Sequence, residues 1–185
     1  MCKEQDETVM HLASGCKMLC KKYTRRHDNI GRYIHWNILR DLGVKVTESW
    51  LAHSPMQATT KGETTIMWDL TIENCEGIAA NRPDIVIWDR AKRTAQLIDV
   101  AVPMDMNVLK KYSEKLIKYR ALEISVQKSW DLLKVRVVPV IIGALGTVCD
   151  GLSDNLHRIS PNLDVGIIQK TALLGTSHVL RTVLK

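Results

Sequence analysis

An α/β fold with a mixed sheet flanked by helices is what this sequence predicts, and three observations predict it. Two short β-branched runs, residues 85–88 and 97–102, flank the charged turn 89–93 and read as a hairpin. A long helical pattern follows, with Tyr112, Leu116, Tyr119, Val126 and Trp130 at helical spacing as its expected buried stripe. Residues 135–146 then form a near-continuous apolar run, the pattern of a strand buried on both faces. Strand, helix, strand implies a parallel pair, hence a mixed sheet with helices on its faces.

Taken in order, residues 30–42 read as a helix stopped by Gly43. Residues 43–63 read as irregular, with Pro55 and the polar run 57–62, and long enough to be a mobile loop over a site. Ile66, Trp68 and Leu70 alternate with Met67, Asp69 and Thr71, so 64–72 is expected as a strand, with Asp69 an outward residue of little functional claim. Residues 73–81 read as a loop carrying Cys75. After the hairpin, Asp105 or Asn107 is placed to cap the long helix. Pro139 sits awkwardly in the apolar strand, because proline belongs at an edge or a bulge. Residues 147–160 look helical, Pro161 breaks the chain, and 163–184 reads as a last helix.

Chemistry enters through two aspartates. Asp84 opens the first hairpin strand, and Asp99 interrupts the second among Ala95, Leu97 and Ala101 on one face. A half-buried carboxylate is expensive unless paired, and a second one nearby makes it worse. A divalent cation between them relieves both costs and supplies a chemistry. The blander alternative is an ordinary turn residue and an edge charge. Downstream, Lys111, Lys115 and Lys118 share one helix face, which is either a solvated basic strip or a lysine reaching the aspartates and a phosphate.

These residues resemble a known family. Arg82-Pro83-Asp84, fourteen residues, Asp99-Val100-Ala101-Val102-Pro103, then residues 114–119 (Glu-Lys-Leu-Ile-Lys-Tyr) look like the restriction-like endonuclease at the C-terminus of certain non-LTR retrotransposon polyproteins. That domain belongs to the PD-(D/E)XK superfamily. The resemblance implies a restriction-endonuclease-like core of order α-β-β-β-α-β with extra C-terminal helices. It implies Asp84 and Asp99 as ligands of Mg²⁺ or Mn²⁺, and catalysis by Asp84, Asp99, Lys115 and Lys118. The superfamily's lysine two residues after the second acid is missing here, where Val100-Ala101 follow Asp99; in the retrotransposon branch it has moved to the next helix. Proximity to the end of the Asp99 strand favours Lys115 as the catalytic group, and the family's Lys-Tyr pair favours Lys118, otherwise a phosphate contact.

The N-terminus carries a second constellation. Cys2, His11 and Cys16, separated by eight and four residues, resemble the last three ligands of the Cys-Cys-His-Cys zinc knuckle preceding that nuclease. Three ligands do not close a structural zinc site, so zinc is expected only if a fourth comes from upstream, as in a fragment whose start lies inside the knuckle. Cys16, Cys20, His27 and His35 form a looser rival set. Lys21, Lys22, Arg25, Arg26, His27 and Arg32, interleaved with Tyr23, Tyr33 and Trp36, suit a nucleic-acid backbone and its bases, and Arg82 and Lys111 extend that expectation.

Composition sets the bounds. The chain has 185 residues, 45% of them hydrophobic, a formal net charge of +6 and five cysteines. That suits a packed core and a polyanionic partner, and an odd cysteine count argues against a disulfide framework. No span-length apolar run and no signal-peptide pattern is present, so an intracellular protein is expected, nuclear if functional. Gly-rich phosphate loops, serine elbows and His-Glu-x-x-His helices are absent from the sequence. The expected organisation is a knuckle-like segment and basic linker over 1–28, a nuclease core over 29–146 and a helical extension over 147–185. The expected partners are DNA and possibly the element's RNA, with no membrane. The expected function is a metal-dependent DNA endonuclease. Its alternatives are a catalytically inactive nucleic-acid-binding relic and a domain that meets a protein partner through the last helix.

Overall fold

The computed structural model describes residues 8–73 and 77–183. The chain is α/β. Helix α1 (Cys20–Asp41) leads into β1 (Ala58–Lys61), β2 (Thr64–Trp68), β3 (Ile85–Asp89) and β4 (Thr94–Ala101). Helix α2 (Val108–Ser129), β5 (Lys134–Ile141), α3 (Leu152–Ile159) and α4 (Val165–Val183) follow. The five strands lie in the order β1-β2-β3-β4-β5. The first four form an antiparallel meander, and β5 runs parallel to β4.

Strand alternation divides the core in two. Ile66, Ile85, Ile98, Val138 and Val140 face a layer built from α1, α3 and α4, including Ile30, Ile34, Leu156 and Ile168. Val86, Ala95, Leu97 and Val135 face α2 through Tyr119, Leu122 and Val126. Both faces of the central strands are therefore covered, and α2 is the crossover that makes the β4–β5 pair parallel.

Several expectations change. The irregular stretch 43–63 contains β1, joined to β2 through Gly62 at φ 57°, so it is partly ladder and not a free loop over the site. Its signal was the threonines flanking Lys61-Gly62-Glu63, which suit a hairpin. The segment 64–72 stops as a strand at Trp68, because Asp69 turns to φ 47°. Helix α1 starts at Cys20 and carries the basic stretch, so a boundary at residue 28 falls inside a helix. Gly43 does end that helix region, at φ 67°. The final strand ends at Ile141; residues beyond it turn, and Ile142 bridges Val148. β5 is an edge strand, which is why Pro139 is tolerated, and its carbonyl accepts from Asn155 Nδ2 at 3.1 Å. Asn107 does occupy the N-cap position of α2, but its side chain makes no cap hydrogen bond. Asp105 instead accepts the N–H groups of Leu145 and Thr147 at 2.8 and 2.9 Å.

Candidate functional site

Strands β3 and β4 part at one end of the sheet, and the site forms where they part. Their last ladder pair is Ile85 with Ile98. Beyond it β4 continues with β5 alone, through Asp99, Val100 and Ala101. The N–H and C=O of Val100 face the rung that β3 has left, so they need other partners. Asp84, the residue just before β3, accepts the Val100 N–H on Oδ2 at 2.6 Å. His27, from α1, reaches Asp84 Oδ2 at 3.0 Å and the Val100 carbonyl at 3.2 Å through Nε2. Its Nδ1 lies 2.9 Å from Asp28 Oδ1. Burial lowers the His27 pKa, but the Asp28 and Asp84 carboxylates outweigh burial and lift it to about 10. At neutral pH His27 is therefore an imidazolium donating from both nitrogens.

Asp99 lies on the other face, 2% exposed. Tyr119 donates its hydroxyl to Asp99 Oδ1 at 2.6 Å. Burial raises the Tyr119 pKa, and Asp99 raises it further, so the phenol stays protonated. The Lys115 ammonium stands 2.5 Å from Asp99 Oδ2. That oxygen has the ion pair but no aligned hydrogen bond. Lys118 Nζ is 4.0 Å from Oδ1, and it donates to the Tyr119 hydroxyl at 2.9 Å.

The two lysines differ because of how α2 sits. Its buried residues are Val108, Tyr119, Leu122, Ser125 and Val126. Leu116, expected in the stripe, is 37% exposed, and Tyr112 is only half-buried. Lys115 falls at the stripe position between Val108 and Tyr119, with its side chain 18% exposed; Lys118 lies to the side at 45%. Asp84, Lys115, Lys111 and Trp68 line a cleft of about 640 Å³ against Tyr23 and His27 of α1. Asp69 lines it too, holding Arg82 bidentately at 2.7 and 2.6 Å. Sequence reasoning gave Asp69 little claim and read Tyr119 as core and as half of the Lys-Tyr pair, not as the donor to Asp99; the His27-Asp28 neighbours were the one local hint of an imidazolium.

The remaining expected residues divide. Lys21 and Arg25 are exposed on α1 and Lys22 is half-buried. Arg26 is 2% exposed, and its guanidinium donates to Ala13 O, Thr176 Oγ1 and Val102 O at 2.9, 2.6 and 3.2 Å. It is a strut between α1, α4 and the end of β4, not a surface contact for nucleic acid. Arg32 is half-buried beside His53, and Lys111 pairs with Glu114 at 2.5 Å.

The metal expectations can be weighed on donors. Asp84, Asp99 and the Val100 carbonyl are hard oxygen donors near one end of β4, the donor type Mg²⁺ or Mn²⁺ takes, and each has a protein partner: the Val100 N–H and His27 on Asp84, Tyr119 and Lys115 on Asp99, and His27 on the carbonyl. Among the described residues no group of three or more His, Cys, Asp or Glu converges on a metal-sized space. Of the zinc residues, Cys2 lies outside the described ones. His11 is buried with neither ring nitrogen hydrogen-bonded. Cys16 packs among Leu12, Leu19 and Val179, as an ordinary buried thiol does. One such imidazole is well short of the four donors of a structural zinc. In the rival set Cys20 is exposed, His27 is held by Asp84, and His35 pairs with His53 at 2.8 Å.

No protein-family model matches this chain, and no curated protein matches it. Among the described residues no helix is long and apolar enough to cross a membrane.

Proposed function

We propose that the protein is a metal-dependent DNA endonuclease with a restriction-endonuclease-like core, in keeping with its resemblance to the nuclease of non-LTR retrotransposon polyproteins. The observation that carries this reading is that Asp84 and Lys115 line one cleft while the Lys115 ammonium pairs with the buried Asp99. Asp84 and Asp99 come from opposite sides of the β3–β4 split, and the Lys115 ammonium comes from the crossover helix at 2.5 Å from Asp99. Asp84 and Asp99 would hold a divalent cation, which when bound polarises a phosphate and lowers the pKa of its water. Lys115 brings a compact positive charge to the cleft, placed to stabilise charge that develops on a phosphate oxygen. Tyr119 fixes the orientation of Asp99, and the His27 imidazolium fixes that of Asp84. Arg25, Lys21 and Lys118 supply charge for the DNA backbone.

The test is the cation dependence of supercoiled-plasmid nicking. Nicking is expected to rise with Mg²⁺ or Mn²⁺ and to stop in EDTA. Salt-dependent DNA binding with no nicking in either cation would overturn the enzyme and support the inactive binding module.

A further inference from the structure

A second groove, of about 600 Å³, lies between α1 and α4 and is not used by the chemistry above. Its floor is apolar: Trp50, Leu51, Ile167 and Leu174 line it. Leu51 and Leu174 are 65% and 61% exposed, costly for leucines with nothing on them. Its rim is basic, with Lys22, Arg25, Lys170 and His178, and among the described residues no Asp or Glu lines it. Lys22 Nζ donates to His178 Nε2 at 3.4 Å, so the positive charge of the rim comes from Lys22, Arg25 and Lys170. The groove shares Arg26 with the Asp84 cleft, and the two take neighbouring strips of α1: Lys22, Arg25 and Asn29 on one side, Tyr23, Thr24 and His27 on the other.

We propose that this groove binds single-stranded nucleic acid, with phosphates on the basic rim and a base against Trp50, Leu51 and Leu174. Charge complementarity selects a polyanion. The apolar floor selects one whose flat apolar groups are available. A duplex keeps its bases stacked inside and would offer the groove phosphates alone, leaving the leucines uncovered. A splayed strand offers both. The volume is on the scale of pockets that take a nucleotide-sized group. Because the groove adjoins the cleft along α1, a strand held there continues towards Asp84. The proposal rests on the nucleic-acid part of the reading above and not on hydrolysis.

The experiment measures binding of the full chain to labelled oligo-dT and to a duplex of equal length, by fluorescence anisotropy in EDTA so that cleavage plays no part. The double variant Leu51→Ser, Leu174→Ser changes two exposed side chains and leaves the core alone. It is expected to weaken oligo-dT binding about tenfold, with duplex affinity within about twofold of wild type. Lys170→Gln is expected to lower the slope of log affinity against log salt for oligo-dT. Unchanged oligo-dT binding in the double variant overturns the proposal. So does an equal loss for both nucleic acids, or loss of binding to phosphatidylglycerol vesicles with oligo-dT binding intact. A wild-type protein that never nicks plasmid would defeat the nuclease reading and leave this result standing.

Discussion

At the scale of single residues, two lysines three positions apart, Lys115 and Lys118, stand unequally beside Asp99. Lys115→Ala is expected to reduce nicking about 10²- to 10³-fold, as losing a preorganised charge does, with DNA affinity within a few-fold of wild type. Lys118→Ala should weaken binding and flatten its salt dependence, with a smaller effect on the cleavage step. Single-turnover rates and binding isotherms on both variants decide this, and the reverse pattern would exchange the roles. Tyr119→Phe removes the donor to a buried carboxylate. It should cost about 1–3 kcal/mol of stability, read from urea unfolding, and an unaltered midpoint would mean Asp99 does not depend on that hydroxyl. The aspartates were legible in the sequence, because an acid in an apolar β-branched run is a conspicuous expense. Lys115 was legible only as one of a pair, since spacing gives a helix's periodicity but not which edge of its stripe faces the sheet. His27 was read as a nucleic-acid contact or a rival zinc ligand, and its place beside Asp84 joins residues fifty-seven positions apart.

At the scale of elements, sequence reading found what was long and periodic and missed what was short. The hairpin, α2, β5 and α4 follow from runs of apolar residues. β1 has four residues, exposed or half-buried throughout, and so no hydrophobic pattern to betray it. The extent of α1 was hidden because its first turns are basic and polar. The docking of α1 on α4 gives a test of its own. A Cβ on Gly175 would stand 2.5 Å from Arg26 Cγ, whose guanidinium is tied at three points. Alanine gains about 1 kcal/mol in helix propensity, but forcing this strut aside costs about 1–3 kcal/mol. Gly175→Ala should therefore leave stability unimproved or lower it. A clear rise in Tm would show that Arg26 yields freely and is no strut.

At the scale of the whole molecule, the element order implied a mixed sheet with one parallel pair and helices on its faces, and the structure adds a fourth strand before α2 and an antiparallel meander. Its response to acid follows from a buried pair in the α1 layer. Burial lowers the pKa of His35, and His53 lowers it further, to about 4. Burial and then Arg32 lower that of His53. His35 has His53 stacked on it at 5.0 Å and Trp68 edge-on at 5.7 Å, with no carboxylate in contact among the described residues. A histidine whose pKa falls on folding takes its proton in the unfolded chain first. Stability is thus complete above about pH 6.5 and is lost as pH falls towards 4, by about 3 kcal/mol from this group. Unfolding free energies of wild type and His35→Gln across that window should converge at low pH; parallel curves would refute the linkage.

The central claim is that Asp84 belongs to a working hydrolytic site. The most direct measurement is the initial rate at which wild type and Asp84→Ala nick supercoiled plasmid in Mg²⁺, each protein checked for folding by circular dichroism. The account predicts nicking by wild type and none above background from the folded variant. Equal rates for the two proteins would contradict it.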